Sequence, residues 1–156
     1  MPAANVIDLY RYEDAIETAV KTLLQANGIA AYKQQDTAET VTPRAEIQFA
    51  PGAAEEHYHL FLNGDQRPDV FTGSLQVAVV TNRETNGLDH STVRATVRHL
   101  IYGFLETLNP LLAYHAIYRV LESGSSPTIQ PEENHDRTEI NFSVEFNIRT
   151  DAWLTA

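Results

Sequence analysis

The sequence predicts an α+β fold: a mostly antiparallel β-sheet with two amphipathic helices packed on one face, and a long hairpin loop before the C-terminal strand. Three observations lead there. Apolar residues recur at three- and four-residue steps in two segments, and they alternate with polar ones in several others. The segments follow the order helix, several strands, helix, two strands, with no internal repeat and no linker. A chain of 156 residues suits a single domain, residues 1–156, with one sizeable core.

The first helix is expected from about Asp8 to Asn27, with Ile16, Ala19, Val20, Leu23 and Leu24 on one stripe. Asn27-Gly28 stops it, because both residues tolerate the left-handed cap conformation. "IAAY" is a short strand candidate, "DTAETVTP" a polar connector, and "RAEIQFA" a strand alternating through Ala45, Ile47 and Phe49. Pro51-Gly52 reads as a turn. "EHYHLFLNG" reads as a strand ending in an Asn63-Gly64 turn. "DQRPDVFTG" then reads as a loop leading into the strand "SLQVAVVTNR", where Leu75, Val77 and Val79 share a face.

A second loop, "ETNGLDHS", closes with Ser91 or a neighbour as the N-cap of the second helix. That helix is expected to reach Leu108, with Val93, Val97, Leu100, Ile101, Phe104 and Leu108 on one stripe and Arg94, Arg98 and His99 opposite. Asn109-Pro110 breaks it. "AYHAIYRVLE" is a strand. The last strand alternates from Ile140 to Ile148: Phe142, Val144 and Phe146 lie on the dry face, and Asn141, Ser143, Glu145 and Asn147 on the wet one. Between these two strands, "SGSSPTIQPEENHDR" is poor in apolar residues, and Ser123 to Asp136 is expected to be disordered in an isolated protomer.

Net charge is −10, with 11 basic residues scattered along the chain. Tight binding of duplex DNA needs clustered Lys and Arg, so it is disfavoured; an acidic surface provides solubility, or lets a polyanion pass without sticking. The chain contains no cysteine, which excludes disulfides, thiolate metal sites and cysteine nucleophiles. Its apolar runs are too short to cross a bilayer, and no secretory signal is visible at the N-terminus.

Candidate chemistry is sparse. His57 and His59 share a strand face and could chelate a divalent metal with Glu55 or Glu56, but the ordinary reading of such a pair is two surface histidines. His90, His99, His115 and His135 are isolated in sequence and read as solvated. No G-x-S-x-G elbow, phosphate-binding loop or dinucleotide fingerprint is present. Neither a catalytic residue, a cofactor nor a metal is therefore assigned. The Asn141-Phe142-Ser143 glycosylation match lies inside a strand and is discounted.

The ending "INFSVEFNIRTDAW" resembles that of tail-terminator, or tail-completion, proteins of long-tailed bacteriophages and phage-tail-like particles. The order of elements is similar over most of the chain, and residue likeness is confined to Glu139–Trp153. The resemblance implies a virion structural protein whose protomers form a homohexameric ring. Such a ring caps the tail tube, ends tube polymerisation and offers a docking face to the head connector or neck protein. DNA passes through it without specific binding, and nothing in it is catalytic. It would lie at the head-proximal end of the tail, and in the host cytoplasm during assembly. A neck or head-completion protein would look alike. A small-ligand binding module and a metal enzyme built on His57 and His59 are the alternatives from other classes.

The wet face of the last strand is rich in amides and hydroxyls, and Thr138 to Trp153 lacks lysine, the usual protector of exposed sheet edges. Asn141, Ser143, Glu145, Asn147, Arg149, Asp151 and Trp153 are the candidate subunit interface. Arg and Trp are types enriched where interfaces are anchored, though Trp153 could instead fold back on its own core.

Overall fold

In the computed structural model the described residues are 6–33, 41–54, 58–60, 66–68, 71–83, 89–103, 108–131 and 134–148. The α+β expectation holds. A five-stranded sheet runs in the order β1-β2-β5-β7-β6: β1 Ala30–Lys33, β2 Arg44–Ala54, β5 Phe71–Asn82, β6 His115–Ser125 and β7 His135–Ile148. Only β1 and β2 pair in parallel; the other pairings of this sheet are antiparallel. In a separate two-stranded sheet, β3 Tyr58–Leu60 pairs antiparallel with β4 Gln66–Pro68. The helices are α1 Val6–Leu9, α2 Tyr12–Ala26 and α3 His90–Tyr102. Among the described residues no helix is long and apolar enough to cross a membrane.

The strict alternation of β7 decides which sheet face is dry. Ile140, Phe142, Val144, Phe146 and Ile148 are all buried; the first four are in register with Val77, Leu75, Gly73 and Phe71 of β5, and Ile148 with His115 of β6. Ala45, Ile47 and Phe49 of β2 continue this face. Ile16, Ala19, Val20, Leu23 and Leu24 of α2, with Val93, Val97 and Ile101 of α3, join it in one core cluster. Gly73 is required there, because a Cβ at that position would collide with the Phe49 ring.

Several boundaries differ from the sequence reading, each for a local reason. The first helix is interrupted at Tyr10 and Arg11, and Gly28 at φ 83° then ends α2 as expected. Pro51-Gly52 is not a turn: β2 continues through it, and its register with β5 shifts between Pro51 and Ala54, a bulge that accommodates the proline. Gln66–Pro68, read as loop, is strand β4. Asp89 rather than Ser91 caps α3, accepting a 2.7 Å bond from the Thr92 amide. That helix ends at Tyr102 with Gly103 as its cap; Phe104 lies outside the described residues, and Leu108 is buried ahead of a 3-10 turn at Asn109–Leu111.

The largest correction concerns the β6–β7 connection. Strand β6 runs on to Ser125 and β7 begins at His135, so the connection is shorter than the composition suggested. Its first half is tied to β7 rather than loose. The Ser126 amide donates to the Glu139 carbonyl at 2.8 Å, and Ile129 and Arg137 exchange backbone bonds of 2.9 and 2.8 Å. Backbone pairing offsets the ordering entropy that a polar composition cannot.

Candidate functional site

The sheet face opposite the helices is built in rows, because the register of β2, β5, β7 and β6 sets like residues side by side. Arg44, Val80 and Arg137 form one row; Glu46, Ala78 and Glu139 the next. Then come Gln48, Gln76 and Asn141, and after them Ala50, Ser74, Ser143 and Leu121. Thr72, Glu145 and Arg119 make the last.

Charges in this array are balanced within the chain. The Arg44 Nε and an Arg137 terminal nitrogen share Glu46 Oε2 at 3.1 and 3.2 Å, and Arg137 also lies 3.6 Å from Glu139. The Gln76 amide donates to Glu139 at 3.4 Å, and Arg119 sits 3.5 Å from Glu145. Ala78 and Val80 are buried although they lie on this face, so the charged end is closed. The amide and hydroxyl rows are the open part: Gln48, Ala50, Ser74, Ser143 and Leu121 are exposed, Leu121 at 48%. A polar band with an exposed leucine and, among the described residues, no unpaired charge can meet another protein at little desolvation cost.

The sheet edge next to this face is closed to backbone pairing at two points. Asn109 uses both ends of its amide on Ile117 of β6, donating to the carbonyl and accepting from the amide, each at 2.9 Å. Farther along, the Tyr102 hydroxyl accepts the Glu122 amide at 2.9 Å. Register shifts at Ile117/Arg119 and Glu122/Gly124 mark two bulges in the same strand. Side-chain capping and bulges are how natural sheets blunt an edge.

The structure therefore sets Asn141, Ser143, Glu145 and Asn147 on the face away from the core, as the alternation predicted; Ser143 is exposed, the other three are half-buried, and the Asn147 Oδ1 is buried without a partner. It corrects the idea that β7 is a sheet edge. This strand is paired on both sides, by β5 and β6, so it has no row of free backbone groups over that stretch and its lack of lysine has no protective meaning. Arg149, Asp151 and Trp153 lie outside the described residues, as do Glu55, Glu56 and His57; His59 lies in β3. Among the described residues no group of three or more His, Asp or Glu could hold a metal. Arg44, Glu46, Gln76 and Arg119 of the open face were missed, since their strands alternate but nothing local says which strands become neighbours.

A second polar cluster lies at the other end of the dry face, where β7 turns from apolar to Thr138 and Asp136. The His90 ring is held between strands: Nδ1 is 2.9 Å from the Thr81 hydroxyl and Nε2 is 2.8 Å from that of Thr138. Thr138 in turn lies 2.8 Å from the Thr128 hydroxyl. Arg83 grips Asp136 with two bonds of 3.0 and 2.9 Å, which hold that carboxyl below the usual range. Burial pushes the His90 pKa down, and Arg94 adds to it against the opposing pull of Asp136 and Asp89. His90 is thus a structural centre, not the isolated solvated residue its sequence context suggested.

His115 is likewise buried. Its Nε2 donates to the Leu9 carbonyl at 2.8 Å, and burial lowers its pKa. It lines a pocket of about 310 Å³ with Asp8, Arg11, Asp14, Leu111 and Tyr114, near the lower bound of about 300 Å³ for small-molecule sites. No protein-family model matches the chain, and no curated protein matches it.

Proposed function

We propose that this protein is a structural assembly protein of the tail-terminator kind, forming a six-membered ring that caps a tail tube and presents a docking face to the head connector. The observation that carries the proposal is the open sheet face. Asn141 and Ser143 of the strand that resembles the tail-terminator ending lie in its band of amides, hydroxyls and one exposed leucine, with Glu145 in the row beside it. The capped β6 edge favours assembly through this face over strand addition, because its outward backbone groups at Ile117 and Glu122 are already taken. The acidic balance of the chain suits a ring through which DNA travels without being gripped.

Light scattering on the intact chain tests the proposal. A ring, formed alone or on contact with tube ends, supports it; a protomer that also ignores tube ends refutes it. Removing residues from Arg149 onward should leave the helices folded and return the protomer. The second reading, a small-ligand binding module, is favoured by the pocket at His115, and would take first place if no assembly forms.

A further inference from the structure

We propose that His90 is a proton-controlled latch: while neutral it fastens the first half of the β6–β7 connection to the sheet through Thr138 and Thr128, and on protonation it lets that segment leave the edge of β7. The geometry is a continuous chain of four side chains. Thr81 on β5, His90 at the start of α3, Thr138 on β7 and Thr128 in the connection stand at 2.9, 2.8 and 2.8 Å. Thr81 and Thr138 are buried, His90 is half-buried and Thr128 is exposed, so the chain runs from the interior to the surface of the connection it ties down.

A neutral imidazole suits this site in either tautomer. One ring nitrogen donates and the other accepts, and a hydroxyl can answer each role. An imidazolium does not fit as well. Both nitrogens must donate, which the two hydroxyls can accept, but the charge then sits in a half-buried place whose bonded partners are neutral. The charged groups around it are Asp89 and Arg94 from α3 and Asp136 from β7, with Arg83 at the end of β5 engaged on Asp136. Asp136 is engaged by two bonds from Arg83, and one oxygen of Asp89 accepts the Thr92 amide; both carboxylates pull toward the cation, but burial and Arg94 outweigh them. Arg94 repels the cation. Leaving the cleft for water is the relief open to it.

What the latch controls is a sheet edge. Between Ser126 and Ile129 the connection covers β7 at Arg137 and Glu139, where β6 has ended. Once it lifts, those backbone groups become a short free edge able to receive another extended strand. The sign follows from linkage. A histidine whose folded pKa lies below its ordinary 6.5 keeps the closed state stable above that value. The contribution is then lost as pH falls through the interval down to the folded value.

Amide hydrogen exchange on the full chain between pH 8 and 5, corrected for intrinsic rates, tests this. Protection of the Ile129 and Arg137 amides should fall about tenfold per pH unit below roughly 6.5, one proton being taken up on opening. Amides in the middle of β5 should hold. Thr128→Val cuts the chain without touching the His90 ring, and should give low protection at these two amides at every pH. His90→Gln should remove the pH dependence, and His135→Gln should keep it. Flat protection in the unaltered protein, or an undiminished pH dependence in Thr128→Val, overturns the proposal; if His90→Gln fails to fold, Thr128→Val alone decides.

Discussion

The ring of Phe146 stacks on that of Phe71, with centroids 5.6 Å apart and planes inclined by 19°. Around the same ring stand Tyr12 at 5.0 Å, Phe49 at 6.0 Å and the His115 imidazole at 6.5 Å. One side chain of β7 thereby joins α2, β2, β5 and β6. Phe146→Ala should cost about 3–5 kcal/mol, the range for a buried phenylalanine whose cavity cannot collapse. In a chain of this size that lowers Tm by on the order of 10 °C, measurable by calorimetry. An unchanged Tm would remove Phe146 from the core.

Asn109→Ala deletes both bonds to the Ile117 backbone at the β6 edge. A loss of about 1–3 kcal/mol is expected in chemical denaturation, because a partly buried amide and carbonyl lose their partner. The uncovered edge should also raise concentration-dependent aggregation. If the variant is as stable and as soluble as the parent, the edge is protected by something else.

Acid should destabilise the fold in two steps. His90 and His115 both have pKa values lowered by burial, so the unfolded chain binds their protons first. Their contribution is complete above 6.5 and is lost as pH falls below it. Asp136 and Asp89, held below 3.8 chiefly by side-chain hydrogen bonds from Arg83 and Thr92, contribute fully above 3.8 and lose that contribution at lower pH. Denaturation midpoints from pH 8 to 5 should fall, and His115→Phe should flatten part of that slope. Midpoints that rise on acidification would reverse the assignment of both histidines as neutral.

Limited proteolysis should spare the stretch from Ser123 to Pro131. Its backbone is paired to Glu139 and Arg137, and Thr128 reaches Thr138. Early cleavage there, ahead of global unfolding, would contradict the pairing.

Much of the fold was legible because it rests on local periodicity. The alternation of Ile140 to Ile148 named the buried face of β7, and the stripes of α2 and α3 named what covers it. Boundaries failed where a distant partner overrides a local signal. Pro51-Gly52 looks like a turn, yet β5 alongside carries the strand through it as a bulge. Ser126 to Ile129 looks disordered, yet an edge of β7 left bare by β6 holds it. The wet face of the candidate interface could be read in β7, but not its rows, since Gln76 and Asn141 become neighbours only through strand order. His90 was unreadable for the same reason: its partners Thr81 and Thr138 come from two other strands.

Ser143 is exposed in the middle of the open polar band, and its side chain points away from the core. The most direct measurement is the solution mass of Ser143→Arg beside that of the parent chain, by light scattering with and without tube ends. The open-face account predicts about six times the 17.5 kDa protomer for the parent and the protomer alone for the variant, at an unchanged Tm. A parent that stays at 17.5 kDa in both conditions, or a variant that assembles like the parent, contradicts it.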